Sequence, residues 1–158
     1  MRHKITPFLL FKDEAEAAAN FYVSVFNGKL LNVTRYPDNS PMPKGTAMTA
    51  SFEILGMTIV ALNWGQEAKF DLSTSFAIEP ETQEEVDHYW HTLIADTGEE
   101  MPCGWLKDKY GLSWQVTPEQ LPRLMGDNDP KKSQAVMQAM MKMKKIIIKD
   151  LEDAYNKA

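Results

Sequence analysis

The chain has 158 residues, 44% of them hydrophobic and 25% charged, with a formal net charge of −5 at pH 7. That is the profile of an ordinary water-soluble domain, large enough to bury a core without disulfide or metal staples. Its single cysteine, Cys103, excludes an intramolecular disulfide and fits a reducing, cytoplasmic setting. The apolar stretch Phe8 to Phe11 is ended by Lys12 and Asp13, too short for a secretory signal or a membrane span.

The charge is uneven. From Lys131 onward there are seven Lys and three acids, whereas the preceding residues hold ten basic and nineteen acidic side chains. A basic tail on an acidic body admits nucleic acid, a membrane surface or a docking helix as its partner. This tail has no Arg and one aromatic, Tyr155, and the body repels phosphate, so protein–protein docking is the expectation and nucleic acid and membrane are not.

In chain order, Ile5 to Phe11 reads as a strand, and Asp13 with Glu16 three residues later opens a helix in the manner of a capping box. Ala18, Phe21, Tyr22 and Val25 fall on one face of that helix, and Gly28 stops it in a left-handed cap. Strands follow at 29–36, 47–55 and 57–63, the last two joined around Gly56. The pattern then recurs. Leu72 to Ile78 reads as a strand, Thr82 to Glu85 as a capping box, and Val86, Tyr89, Trp90 and Leu93 as the apolar helix face before Gly98. The two cap sites are 69 residues apart, the aromatic pairs 68 and the glycines 70, which indicates a duplicated module of strand, helix and three strands. The second set of strands is shorter, at 99–103, 104–108 and 112–117. Beyond Pro118 come a short helical turn at 121–125, a linker ending in Asp129-Pro130, and a helix expected from about Lys131 to Tyr155. Val136, Met140, Met143, Ile147 and Leu151 form its apolar stripe.

The segment Gly104 to Pro118 (GWLKDKYGLSWQVTP) resembles the signature strand pair of the PhnB-like family, often labelled demethylubiquinone methyltransferase-like. This family lies within the vicinal-oxygen-chelate superfamily of glyoxalase I, extradiol dioxygenases and bleomycin-resistance proteins. Ile5 to Phe11, Ala18 to Phe26 and Gln138 to Lys145 are similar to further pieces of it. The resemblance implies an α+β fold of paired βαβββ modules over residues 1–118 (about 1–66 and 67–118). It also implies a homodimer. Residues 119–158 are then a helical extension that packs on the domain or on the dimer partner.

Metal enzymes of the superfamily carry ligands on the first and last strands of each module, which the resemblance places here near Thr6, Ile59, Ser73 and Gln115. None is a His or a carboxylate, so neither a metal nor any other cofactor is expected. A methyl donor such as S-adenosylmethionine is usually held by a glycine-rich turn after the first strand, and that strand here runs into Lys12-Asp13-Glu14. Glu84, His88 and His91 share a helix face, but it is turned away from the apolar stripe and reads as solvated, and His3 sits near the terminus. Cys103 has no His to activate it and reads as a small structural residue. No catalytic residue is assigned.

Strand parity predicts a cleft lined by Thr6, Phe8 and Leu10, by Ile59, Ala61 and Asn63, by Ser73, Ser75 and Ala77, and by Ser113 and Gln115, with Glu53 and Trp105 joining them. Such a lining of apolar groups, hydroxyls and amides suits a small, partly aromatic ligand. The reading is a cytoplasmic, homodimeric small-molecule-binding protein. The alternative is a metal-dependent or acid–base enzyme using Glu53 or Gln115, and a third reading is a scaffold whose Met-rich helix recruits a partner.

Overall fold

The computed structural model describes residues 5–40 and 42–158, so the terminal His3 lies outside the described residues. The chain divides into two compact units between Lys69 and Phe70.

The first unit consists of β1 (Phe8–Phe11), α1 (Ala15–Val25), β2 (Lys29–Arg35), β3 (Ala47–Ile54) and β4 (Met57–Asn63). Its sheet has the order β1-β4-β3-β2, with β1 parallel to β4 and the other pairs antiparallel. Helix α1 buries Ala18, Ala19, Tyr22 and Val25 against this sheet, and the Tyr22 ring stacks on Phe52 with centroids 5.8 Å apart. Alternation along β3 and β4 gives the helix side Ala50, Phe52 and Ile54, opposed by Ile59 and Ala61.

The capping box expected at Asp13 does not form; α1 begins after Glu14 with no side-chain cap from its own approach. The acceptor comes instead from β4. Because β1 and β4 are parallel and in register at Phe11 and Asn63, both strands end where α1 starts. There Asn63, only 1% exposed, accepts the Ala15 N–H at 2.8 Å through Oδ1 and donates from Nδ2 to the Ala47 carbonyl at 2.9 Å. Its own carbonyl accepts the Tyr36 hydroxyl at 2.6 Å. The left-handed residue after α1 is Asn27 (φ 49°), not Gly28. Gly28 is needed for another reason: a Cβ there would stand 2.2 Å from the Glu53 carbonyl oxygen.

The second unit repeats the plan with β5 (Ser75–Ile78), α2 (Gln83–Leu93), β6 (Glu99–Glu100), β7 (Trp105–Lys107) and β8 (Ser113–Val116), in the order β5-β8-β7-β6 with β5 parallel to β8. Here the predicted Thr82 cap is present, its Oγ1 accepting the Glu85 N–H at 3.2 Å, while Glu85 Oε2 reaches one residue past the cap of a standard capping box to accept the Glu81 N–H at 2.7 Å. Val86, Trp90 and Leu93 are the buried face of α2. The left-handed residue after it is Asp96 (φ 64°), 69 positions after Asn27, so the duplication extends to the helix stop.

Three helices follow, α3 (Gln120–Met125), α4 (Pro130–Met140) and α5 (Ile148–Lys157). The long helix expected from Lys131 to Tyr155 is therefore broken between Met140 and Ile148. The carbonyls of Met143 and Lys144, which a continuous helix would use internally, accept instead from the N–H groups of Cys103 and Gly104 at 2.9 and 2.7 Å. The Gln83 side chain donates to the Ile146 carbonyl at 3.2 Å and accepts the Ile148 N–H at 2.9 Å, and Lys145 pairs with Asp87. Leu121, Leu124, Val136, Ile146 and Leu151 form a core that Met125, Met140 and Met143 complete, so the methionine-rich stripe packs within the subunit. Part of the basic tail thus meets the acidic residues of its own unit, since Lys144 also reaches Glu100. Among the described residues no helix is long and apolar enough to cross a membrane.

Substituting Asn63→Leu strands the Ala15 N–H and the Ala47 carbonyl in the interior. The expected cost is about 2–4 kcal/mol, read as a lowered urea midpoint with the slope unchanged.

Candidate binding faces of the two sheets

In each unit one face of the sheet carries the helix, and the other holds the complementary set of side chains. In the first unit that set is Phe8 and Leu10 of β1, Val60 and Leu62 of β4, and Thr49, Ser51 and Glu53 of β3, paired across the strands as Thr49–Leu62, Ser51–Val60 and Glu53–Thr58. Phe8 is 54% exposed, and Thr34 and Thr49 share a hydroxyl–hydroxyl bond of 2.6 Å. Ile59, Ala61 and Asn63, expected in the cleft, lie instead beneath α1. Parity alone left the phase of β4 free, and a shift of one residue exchanges the two faces. Thr6 is exposed in the segment before β1. At one end of the unit Pro7, Leu55, Met57 and Thr58 border an open apolar hollow of about 380 Å³.

In the second unit the face away from α2 is organised as two rows across the sheet. Glu99, Lys107, Ser113 and Ser75 form one row, and Trp105, Gln115 and Ala77 the other. Gln115 Nε2 donates to Ser75 Oγ at 2.9 Å. Ser113 is buried and donates to the Asp71 carbonyl at 3.3 Å. Ser73 is not on a strand as expected. Residues 71–74 form a turn in which the N–H and hydroxyl of Ser73 both donate to Asp71 Oδ1, holding that carboxyl below its ordinary range. The opposite face packs Phe76 edge-on against Trp114, with centroids 5.4 Å apart.

Two carboxylates that sequence reasoning did not single out hold this sheet together. Asp108, 2% exposed, accepts from the N–H groups of Tyr110 and Leu112 at 2.9 and 3.1 Å and from Trp114 Nε1 at 2.9 Å. The signal was present: an aspartate three residues before Gly111 and six before Trp114 can close a turn and still reach the indole. Glu100 accepts Trp90 Nε1 at 3.0 Å; that bond, with a lesser contribution from Lys144, lowers its pKa. Cys103, expected at the end of the strand 99–103, lies in the turn before β7 at φ 62°, its N–H donated to the Met143 carbonyl. Glu84, His88 and His91 are exposed on α2.

Of the four positions where a superfamily metal would be held, Gln115 alone lies within a strand on the face away from the helix. Thr6 and Ser73 lie outside the strands and Ile59 is under α1. An alcohol, an alkyl chain, a second alcohol and an amide do not make a divalent-metal site. Among the described residues no group of three His, Cys, Asp or Glu is placed to hold a metal ion. The turn after β1 offers no glycine to a nucleotide-like methyl donor either, and the mixed four-stranded sheets are not the parallel sheet that such a cradle needs.

The paired βαβββ modules define a protein of the glyoxalase, or vicinal-oxygen-chelate, fold. The family model described as 3-demethylubiquinone-9 3-methyltransferase matches residues 3–117. The PhnB protein from Bacillus cereus is 34% identical over 73% of this chain and 99% of its own, with a TM-score of 0.66. The chain therefore belongs to the PhnB-like, 3-demethylubiquinone-9 3-methyltransferase family. Protein PA1353 from Pseudomonas aeruginosa (18% identity, 75% of this chain and 98% of its own, TM-score 0.62) shares the fold. So does the fosfomycin resistance protein FosX from Mesorhizobium loti (11% identity, 80% and 99%, TM-score 0.56). No curated protein sequence matches the chain.

Two outcomes follow from the carboxylates. Asp108→Asn turns an amide N–H toward groups that are themselves donors, and a loss of about 2–4 kcal/mol is expected, measured by urea unfolding. The Glu100 carboxyl has its pKa depressed in the folded state, so its contribution is complete above the ordinary value of 4.5 and is lost as pH falls through the lower folded value. The Trp90 indole N–H resonance should accordingly stay constant down to pH 4.5 and move only below it, and Glu100→Gln should abolish that movement.

Proposed function

We propose that the chain is a small-molecule-binding protein that presents its ligand surface on the sheet faces opposite α1 and α2, as a cytoplasmic homodimer. The observation that carries this reading is the second unit's two-row face, where an indole, an ammonium, an amide and hydroxyls are held on one side of β5, β7 and β8. These groups orient a ligand through hydrogen bonds and stacking; in the first unit the face away from α1 carries the apolar Phe8 and Leu10. Of the residues expected to touch the ligand, Thr6, Phe8, Glu53, Ser75, Trp105 and Gln115 remain in this reading. Ile59 and Asn63 leave it because they serve α1, and Ser73 because its hydroxyl is turned back to Asp71. The family resemblance supports the dimer, and the single free thiol supports a reducing compartment.

A thermal-shift panel of planar acids, neutral aromatics and amines at millimolar concentration tests the reading. A ligand at a hundred times its Kd adds about 2.7 kcal/mol, so at least one class should raise Tm by several degrees, and Gln115→Ala should cut the shift. A flat response across the panel would overturn the proposal.

A further inference from the structure

The same face of the second unit indicates what kind of ligand it takes, an inference that rests on the binding role proposed above. Residues two apart on one strand stand roughly 7 Å apart on the same side, and directly opposed side chains begin about 5 Å apart. Trp105 and Lys107 on β7, faced by Gln115 and Ser113 on β8, therefore outline a rectangle the size of one substituted six-membered ring, closed at the Ser113 corner, where the hydroxyl is buried against the Asp71 carbonyl. At one corner is the broad apolar face of an indole. At the next is an ammonium whose one ion pair among the described residues is loose, Lys107 Nζ to Glu99 Oε2 at 3.5 Å, with the lysine side chain 32% exposed and the glutamate 66%. A carboxylate on a ligand can displace so exposed a partner at little cost, because such pairs contribute at most about 1 kcal/mol. At the third corner the Gln115 amide is oriented by its bond to Ser75, which takes one of its two N–H groups and leaves its carbonyl to accept.

The rectangle is also fixed in advance. The turn that leads into β7 is tied by two N–H bonds to Met143 and Lys144, and the turn that leaves β7 is closed by Asp108. The indole and ammonium thus stand on a backbone that is restrained at both ends.

We propose that this face binds a planar ring carrying a carboxylate, with the ring on Trp105, the carboxylate on Lys107 in place of Glu99, and a ring hydroxyl or amino donor directed to Gln115. Cations are disfavoured because the more sheltered charge of the row is the ammonium.

The test uses the full-length protein and three probes of one shape, benzoate, benzamide and benzylammonium, followed at low salt by the Trp105 indole N–H resonance. Benzoate should bind more tightly than benzamide, by up to about fivefold, the ceiling that an ion pair of about 1 kcal/mol sets when the Glu99 pair is given up in exchange, and 4-hydroxybenzoate more tightly than benzoate. Lys107→Met should erase the preference for benzoate, Lys107→Arg should keep it, and Glu99→Gln should strengthen it by freeing the ammonium. Equal binding of benzoate and benzamide at Trp105, or tighter binding of benzylammonium, overturns the proposal while leaving the binding role intact. If none of the probes moves Trp105, the proposal fails. The binding role fails with it only if the thermal-shift panel is also flat.

Discussion

The buried carboxylate of Asp108 is the interaction on which the proposed binding face depends. It accepts from two backbone N–H groups of the turn between β7 and β8 and from the Trp114 indole, so one side chain closes the turn and anchors the strand that follows. That closure sets the register in which Trp105 faces Gln115 and Lys107 faces Ser113. A slip of one residue would send Trp114 to the open side and bury Gln115 against α2. Burying a carboxylate without compensation is costly, and three donated N–H bonds are what make it tolerable here.

At its other end β7 depends on a part of the chain beyond the residues that the family model matches. The family match stops at residue 117, yet the carbonyls of Met143 and Lys144 hold the amides of Cys103 and Gly104. Gly104 has no room for a side chain, since a Cβ would come within 2.9 Å of the Val116 carbonyl oxygen and 3.1 Å of Ile146. The strap from Met141 to Ile147 is thus a second support for β7. It also takes up part of the charge asymmetry of the chain, because Lys144 and Lys145 meet Glu100 and Asp87. The docking of a basic tail on an acidic body takes place here within one subunit.

The two modules share a plan and differ in how they solve the same local problem. Each helix must satisfy its first N–H groups. In α2 Thr82 does so locally, whereas in α1 the partner is Asn63, 48 residues from Ala15. The consequence reaches the function, because the amide that looked free to meet a ligand is consumed by the helix.

The sequence by itself determined the order of elements, the duplication, the Thr82 cap and the apolar faces of both helices, since these follow from spacing, turn chemistry and periodicity within a few residues. It also carried the Trp-rich segment that marks the family. Tertiary structure alone decided which face of β4 lies under α1, where the C-terminal helix breaks, and that Cys103 and Ser73 lie in turns and not in strands. Each of those depends on a partner far along the chain: Ala15 for Asn63, Cys103 and Gly104 for the strap, and the sheet itself for the phase of a strand. A period of two fixes which residues share a face. Only packing fixes which face is turned inward.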